Sequence, residues 1–262
     1  MPFTASIEGQ FAFGRNTPQA PITTSNLQIW VDAGCNVSYP GTGTKWSNLV
    51  GANAVTYWYN LSNSPSVSTI VYNSTSNATL TFDGVNDYTT PNISLQTLAE
   101  VNNWNETREY WLYWPGAPGG ITMESGVAGP PDTNWFDAQA GASNANLAFS
   151  LWQGNVGMTA YVITTSLASN AWNHIIWQHS KSSNLLMGYV NGVQLYSNAS
   201  VPRTTPSSGF FPILMAGSAT NFGYGSGNYM KGSLAVFRWY NQIIPGAQIT
   251  SNFNSERGRF GR

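Results

Sequence analysis

Two short apolar runs, Leu185-Leu-Met-Gly-Tyr-Val190 and Val193-Gln-Leu-Tyr196, are separated only by Asn191-Gly192. That dipeptide encodes a two-residue type I′ turn, because both central positions need positive φ, which Asn tolerates and Gly adopts freely. An antiparallel hairpin is therefore written into the chain. The same grammar recurs from Leu27 onward: Leu27-Gln-Ile-Trp-Val-Asp32 alternates apolar and polar, and Tyr39-Pro-Gly-Thr-Gly-Thr-Lys-Trp46 is a turn cluster. Ala78 to Phe82 ends at Asp83-Gly84, Tyr110-Trp-Leu-Tyr-Trp114 at Pro115-Gly116, and Leu147 to Trp152 at Gly154. Trp172 to Ser180 and Leu234-Ala-Val-Phe-Arg-Trp-Tyr240 complete the strong strands. Helical spacing appears only near the end, where Ile249 and Phe253 follow Pro245-Gly246 and Gly258 is placed to stop a short helix.

Many short antiparallel strands with one minor helix predict a single all-β sandwich or jelly roll over residues 25–262. Residues 1–24 differ. Phe3, Phe11 and Phe13 stand among Gly9, Gly14, Pro18 and Pro21 with no sustained period, which reads as an extended N-terminal arm that packs on a partner chain or stays disordered.

Composition narrows function. Only 8% of the 262 residues are charged, whereas 28 Asn, 28 Ser and 24 Thr carry the polarity and 14% are aromatic. So many aromatics with so little net charge belong to a folded chain. The formal charge of −1 gives no field to hold a polyanion, so nucleic acid is not an expected partner. No apolar stretch of about 18 residues occurs, and Met1–Arg15 lacks a secretion signal, so neither membrane insertion nor export is expected. Cys35 is alone and forms no internal disulfide. Amides and hydroxyls lose less rotamer entropy on contact than Lys and Glu. The surface is read as one meant to be touched, by neighbouring subunits or hydroxyl-rich ligands.

Four segments, taken in order, resemble the laminin-G-like branch of the concanavalin A-like lectin/glucanase superfamily, in the version common in phage and other viral structural proteins. They are Leu27–Gly34 with Tyr39–Trp46, Leu80-Thr-Phe-Asp-Gly-Val-Asn-Asp-Tyr88, Trp172-Asn-His174 leading to Gly188-Tyr-Val-Asn-Gly192, and Lys231–Asn241 running into Ile249–Gly261. The resemblance implies a concanavalin A-like jelly-roll sandwich of two antiparallel sheets packed face to face, its first and last strands adjacent. Arg108–Trp114 followed by the Gly/Pro-rich stretch from Pro115 to Pro131 departs from the family pattern, and that stretch is read as a surface excursion.

The glucanase relatives cleave sugar chains with two carboxylates alternating on one strand. No such run is present: Glu106 and Glu109, three apart on a strand, point to opposite faces. His174 and His179, five apart, also face opposite sides and are read as one histidine at a turn and one partly exposed, not as a zinc pair. No catalytic residue is assigned. Relatives often hold calcium, and Asp83 and Asp87 around Gly84-Val-Asn86 are the weak candidates, although both are good turn formers, which is the favoured reading. No other cofactor is expected. Asn134, Trp135, Tyr224 and Tyr229 lie in Gly-rich surroundings and are the candidates for contacting a glycan. Arg257, Arg259 and Arg262 either dock on an acidic neighbour or form a solvated end.

These readings converge on a non-enzymatic virion component, a capsid decoration or a tail or fibre surface protein on the outside of the particle. It attaches through the arm, and its partners are other virion proteins, copies of itself and host surface glycan. A free carbohydrate-binding lectin is the alternative, and a polysaccharide hydrolase a weaker one.

Overall fold

The computed structural model describes residues 22–50, 57–63, 70–75, 77–92, 103–116, 121–127, 136–140, 146–152, 158–202, 211–215 and 229–262, with the main chain alone at 121–127, 136–140, 146–152, 158–166 and 211–213. The strands form two antiparallel sheets. The first runs, in spatial order, β14 (Val193–Asn198), β13 (Leu185–Val190), β12 (Ala171–Ser180), β7 (Glu106–Trp114), β16 (Lys231–Tyr240), β5 (Thr79–Asp83) and β4 (Val71–Asn73). β1 (Leu27–Asp32) also pairs with β16, along its second half. The second runs β11 (Met158–Ser166), β10 (Asn146–Trp152), β9 (Phe136–Ala140), β8 (Ile121–Val127), β15 (Phe211–Leu214), β6 (Asp87–Pro91), β3 (Trp58–Asn63) and β2 (Lys45–Ser47).

The sandwich is the expected one, with the first and last strands side by side. Its Asn191-Gly192 turn has φ of 50° and 79°, as the hairpin code requires. Between the sheets, alternate residues of each strand bury a core that includes Trp46, Tyr59, Leu112, Trp177, Phe237 and Trp239.

The first sheet is covered on its other face as well. Helix α1 (Gly246–Glu256) folds back across it, and Trp30, Trp111, Ile176, Val236, Tyr240, Ile249 and Phe260 form a second buried cluster there. Ile22 packs against that cluster, and the Thr23 N–H donates to Asn252 Oδ1 at 3.5 Å. Strands β7, β12 and β16 are thus buried on both sides, which explains why they read as continuous bulky runs instead of alternating ones.

Two expectations need correction. The stretch from Pro115 to Pro131 is not a surface excursion: β8 runs through it, between β9 and β15 inside the second sheet. Its alternation of Ile121, Met123 and Val127 is masked by the flanking Gly and Pro. Of the three terminal arginines, Arg259 is not solvated but folds onto Asp32 of the chain's own body, whereas Arg257 and Arg262 are exposed, Arg262 donating to the Trp172 carbonyl. Among the described residues no helix is long and apolar enough to cross a membrane. Phe3, Phe11 and Phe13 lie outside the described residues.

Candidate functional site

Glu106-Thr107-Arg108-Glu109 places ionisable groups on both faces of β7, and each face builds its own closed network. Toward helix α1, Glu109 Oε1 accepts from Arg238 Nη1 and pairs with His174 Nε2, each at 2.9 Å. Glu109 Oε2 accepts from Asn252 Nδ2 at 3.0 Å and from the Tyr240 hydroxyl at 3.2 Å. The helix contributes Glu256, whose carboxylate takes Arg238 on both oxygens and the Trp111 indole N–H at 2.7 Å. Arg238 also lies over the Trp30 ring, 4.8 Å from its centroid.

Burial alone would raise the Glu109 carboxyl, but Arg238, with His174 and Asn252, takes it from 4.5 down to about 2. Burial by itself would lower Arg238; Glu256 and Glu109 outweigh it and hold the guanidinium charged. Burial and the neighbouring Glu109 charge raise the Tyr240 hydroxyl well above its ordinary value.

On the opposite face, Glu106 Oε2 accepts from Arg108 Nε at 3.1 Å, Arg108 Nη2 at 2.9 Å and Trp239 Nε1 at 2.9 Å. Arg108 lies over the Trp177 ring at 4.5 Å. Burial lowers Arg108 to about 9, which still leaves it a cation at neutral pH.

A general acid or base must come within hydrogen-bond reach of a substrate proton. Glu106, Glu109 and Glu256 are at most 3% exposed, and their oxygens face guanidinium, amide, indole and hydroxyl donors. Glu106 and Glu109 lie in separate compartments on the two faces of one strand, as their spacing predicts. The chemistry of these networks is cohesion: the Glu109 network welds α1 to the first sheet, and the Glu106 network ties β7 to β16 on the core side.

Both histidines are fully buried, which corrects the expectation of a turn-facing and a partly exposed pair. His174 belongs to the Glu109 network, and His179 Nε2 meets the Val201 carbonyl at 2.8 Å on the other face. β12 is an interior strand of a sheet covered on both sides, and neither imidazole is exposed. Burial lowers the His179 pKa below its ordinary 6.5.

Asp83 and Asp87 are turn residues. Asp83 Oδ1 accepts the N–H groups of Val85 at 2.7 Å and Asn86 at 3.3 Å, and Asp87 Oδ2 accepts the Asp83 N–H at 3.1 Å. Among the described residues no three His, Cys, Asp or Glu gather to hold a metal. Arg259 grips Asp32 with two bonds of 2.9 Å, so its acidic neighbour belongs to its own chain.

Of the glycan candidates, Asn134, Trp135 and Tyr224 lie outside the described residues. Tyr229 is half-buried, its ring 6.3 Å from that of Tyr88. The sequence reading missed a different group. On β3, Tyr59 and Leu61 point into the core, so Trp58 and Asn60 face outward. The Trp58 indole N–H donates to Asn60 Oδ1 at 3.0 Å, and Lys45 Nζ lies 4.3 Å over the Trp58 ring. Three successive aromatics, Tyr57-Trp58-Tyr59, conceal the alternation that would have separated the outward ring from its neighbours.

Two face-to-face antiparallel sheets closed by paired first and last strands define a concanavalin A-like sandwich. The chain belongs to the concanavalin A-like lectin/glucanases superfamily, whose laminin-G member matches residues 84–250. Among solved structures, it is similar to domain 4 of AbnA, a GH43 extracellular arabinanase from Geobacillus stearothermophilus in complex with arabinotriose. That likeness has a TM-score of 0.63 at 13% identity and covers 87% of this chain and 98% of that one. It is also similar to Trypanosoma rangeli sialidase in complex with sialic acid, with a TM-score of 0.62 at 16% identity over 93% of this chain. The match spans 35% of the sialidase's length. At such identities these likenesses establish the fold. No curated protein matches the chain.

Proposed function

We propose that this protein is a non-catalytic structural component of a virion. Residues 1–24 attach it to capsid or tail proteins, and the sandwich is presented on the outer surface, where it contacts host glycan. The observation that carries the reading is the state of the acids in the sandwich: Glu106, Glu109 and Glu256 are buried and paired with arginines of the same chain. Among the described side chains these acids serve cohesion, and a body so built works through its surface. With 8% of residues charged and 80 Asn, Ser and Thr, the chain is poor in charge and rich in amides and hydroxyls, suited to contact with neighbouring subunits, each of which buries about 800 Å² in an ordinary interface.

Attachment through the arm is supported by the anchoring of Ile22 and Thr23 against α1, which gives the preceding residues a fixed point of departure. Deleting residues 1–21 leaves that anchor in place. The truncated protein is expected to fold with unchanged thermal stability and to fail to enter particles; incorporation at the full-length level contradicts the reading. A free lectin is the second reading, favoured by the outward pairing of Lys45 with Trp58. It predicts that the isolated protein, arm or no arm, agglutinates glycan-bearing cells.

A further inference from the structure

The outer face of the second sheet, where β2, β3 and β6 lie side by side, carries a side-chain set that the cohesion networks do not use. Register places Lys45 opposite Asn60, Asn60 opposite Thr90, and Ser47 opposite Trp58. Directly opposite residues share a face with their Cβ atoms about 5 Å apart, so Lys45, Trp58, Asn60 and Thr90 form one contiguous patch. Trp58, Asn60 and Thr90 are half-buried and Lys45 is exposed.

Two features single this patch out. The indole N–H bond to Asn60 Oδ1 fixes the ring along the strand and leaves the Asn60 NH₂ group as a donor. The Lys45 ammonium is held over that ring, and among the described residues no carboxylate pairs with it. An unpaired cation stored on an aromatic face calls for an anion, and a flat indole beside it calls for an apolar ring face. Amide and hydroxyl neighbours add directional contacts for hydroxyl groups. A pyranose that bears a carboxylate satisfies all of these at once.

We propose that Lys45, Trp58, Asn60 and Thr90 form a binding site for an acidic saccharide, a chain of uronate-type sugars. The sugar carboxylate takes the Lys45 ammonium in a charge-assisted hydrogen bond and draws it off the ring. The uncovered indole face receives the C–H groups of the same pyranose, and Asn60 and Thr90 bind its hydroxyls. The site rests on the reading of the protein as a non-catalytic surface module and gives that module a ligand class. It involves neither Asn134, Trp135 and Tyr224 nor the arm.

Isothermal titration of the full chain with tetrasaccharides of galacturonate, mannuronate and hyaluronan, beside a neutral galactose tetrasaccharide, tests it. At least one uronate is expected to bind tenfold or more tightly than the neutral chain, and to weaken when salt is raised from about 20 to about 300 mM as an exposed ion pair is screened. Lys45→Gln is expected to bring the uronate down to the neutral affinity, and Trp58→Ala to abolish both. Lys45 is exposed, so the first variant keeps its fold and carries the test if the second does not. Failure of all three uronates to bind, equal binding of acidic and neutral chains, or uronate affinity unchanged by Lys45→Gln overturns the site. If the uronates fail while the arm deletion still blocks particle entry, this site alone is lost. New reducing ends appearing during the titration overturn the non-catalytic reading itself.

Discussion

Arg238 is the residue on which the helix-covered side of the sheet depends. It neutralises Glu109 from its own sheet and Glu256 from α1, inside a buried cluster. Arg238→Met leaves two carboxylates buried without their cation and is expected to cost about 3–5 kcal/mol in chemical denaturation; a loss below about 1 kcal/mol contradicts the geometry. Acid should also unfold the protein in two stages. His179 has a folded pKa below 6.5, so the unfolded chain binds more protons and stability falls as pH drops through and below 6.5. Glu109 has its folded pKa depressed from 4.5 to about 2, so its contribution is present above 4.5 and lost between those values. Thermal melts should show both stages, and His179→Gln, which keeps a donor for the Val201 carbonyl, should flatten the first. At this scale the sequence misled in one respect. Its amides read as surface, yet Asn48, Asn173, Gln178 and Asn252 are buried, and Asn48 alone serves the Trp30 N–H and the carbonyls of Gln28 and Val50. Composition reports how polar a chain is, not where its polar groups find partners.

Among the elements, the β13–β14 hairpin and helix α1 support one another. The Gly192 carbonyl accepts from Thr250, and a Cβ added at Gly192 would stand 3.0 Å from the Phe253 ring. With φ at 79° as well, Gly192→Ala is expected to destabilise by about 1–2 kcal/mol through left-handed strain, and more through the displaced ring. Denaturant midpoints of the two proteins measure it, and an unchanged midpoint contradicts it. Ending the chain after Pro245 removes Glu256 and uncovers Trp30, Trp111 and Trp172; the product is expected to bind hydrophobic dyes and aggregate. The hairpin, β1, β16 and the short helix were legible because each carries a local signal: a turn dipeptide, an alternation, a helix start after proline. β8 was not, since glycine and proline crowd both its ends. Nor was the covering of the first sheet's second face, because long-range docking leaves no periodic trace except the loss of alternation in β7 and β12.

For the molecule as a whole, four dispersed segments were enough to read a two-sheet sandwich, since they mark the strands that close it. The site was less legible. Glu106 and Glu109 were rightly separated by strand geometry and Arg108 stood beside Glu106 in the sequence, but Arg238 and Glu256 reach Glu109 and each other only in three dimensions, and Trp58 was hidden among neighbouring aromatics. The function proposed above has this protein adhere without reacting. Incubating it with immobilised polysaccharides, and measuring retained protein and released reducing ends in the same wells, tests this most directly. Retention on acidic chains with no reducing ends above background is the predicted result. Reducing ends that rise with protein concentration and vanish in Glu109→Gln or Glu256→Gln would contradict it.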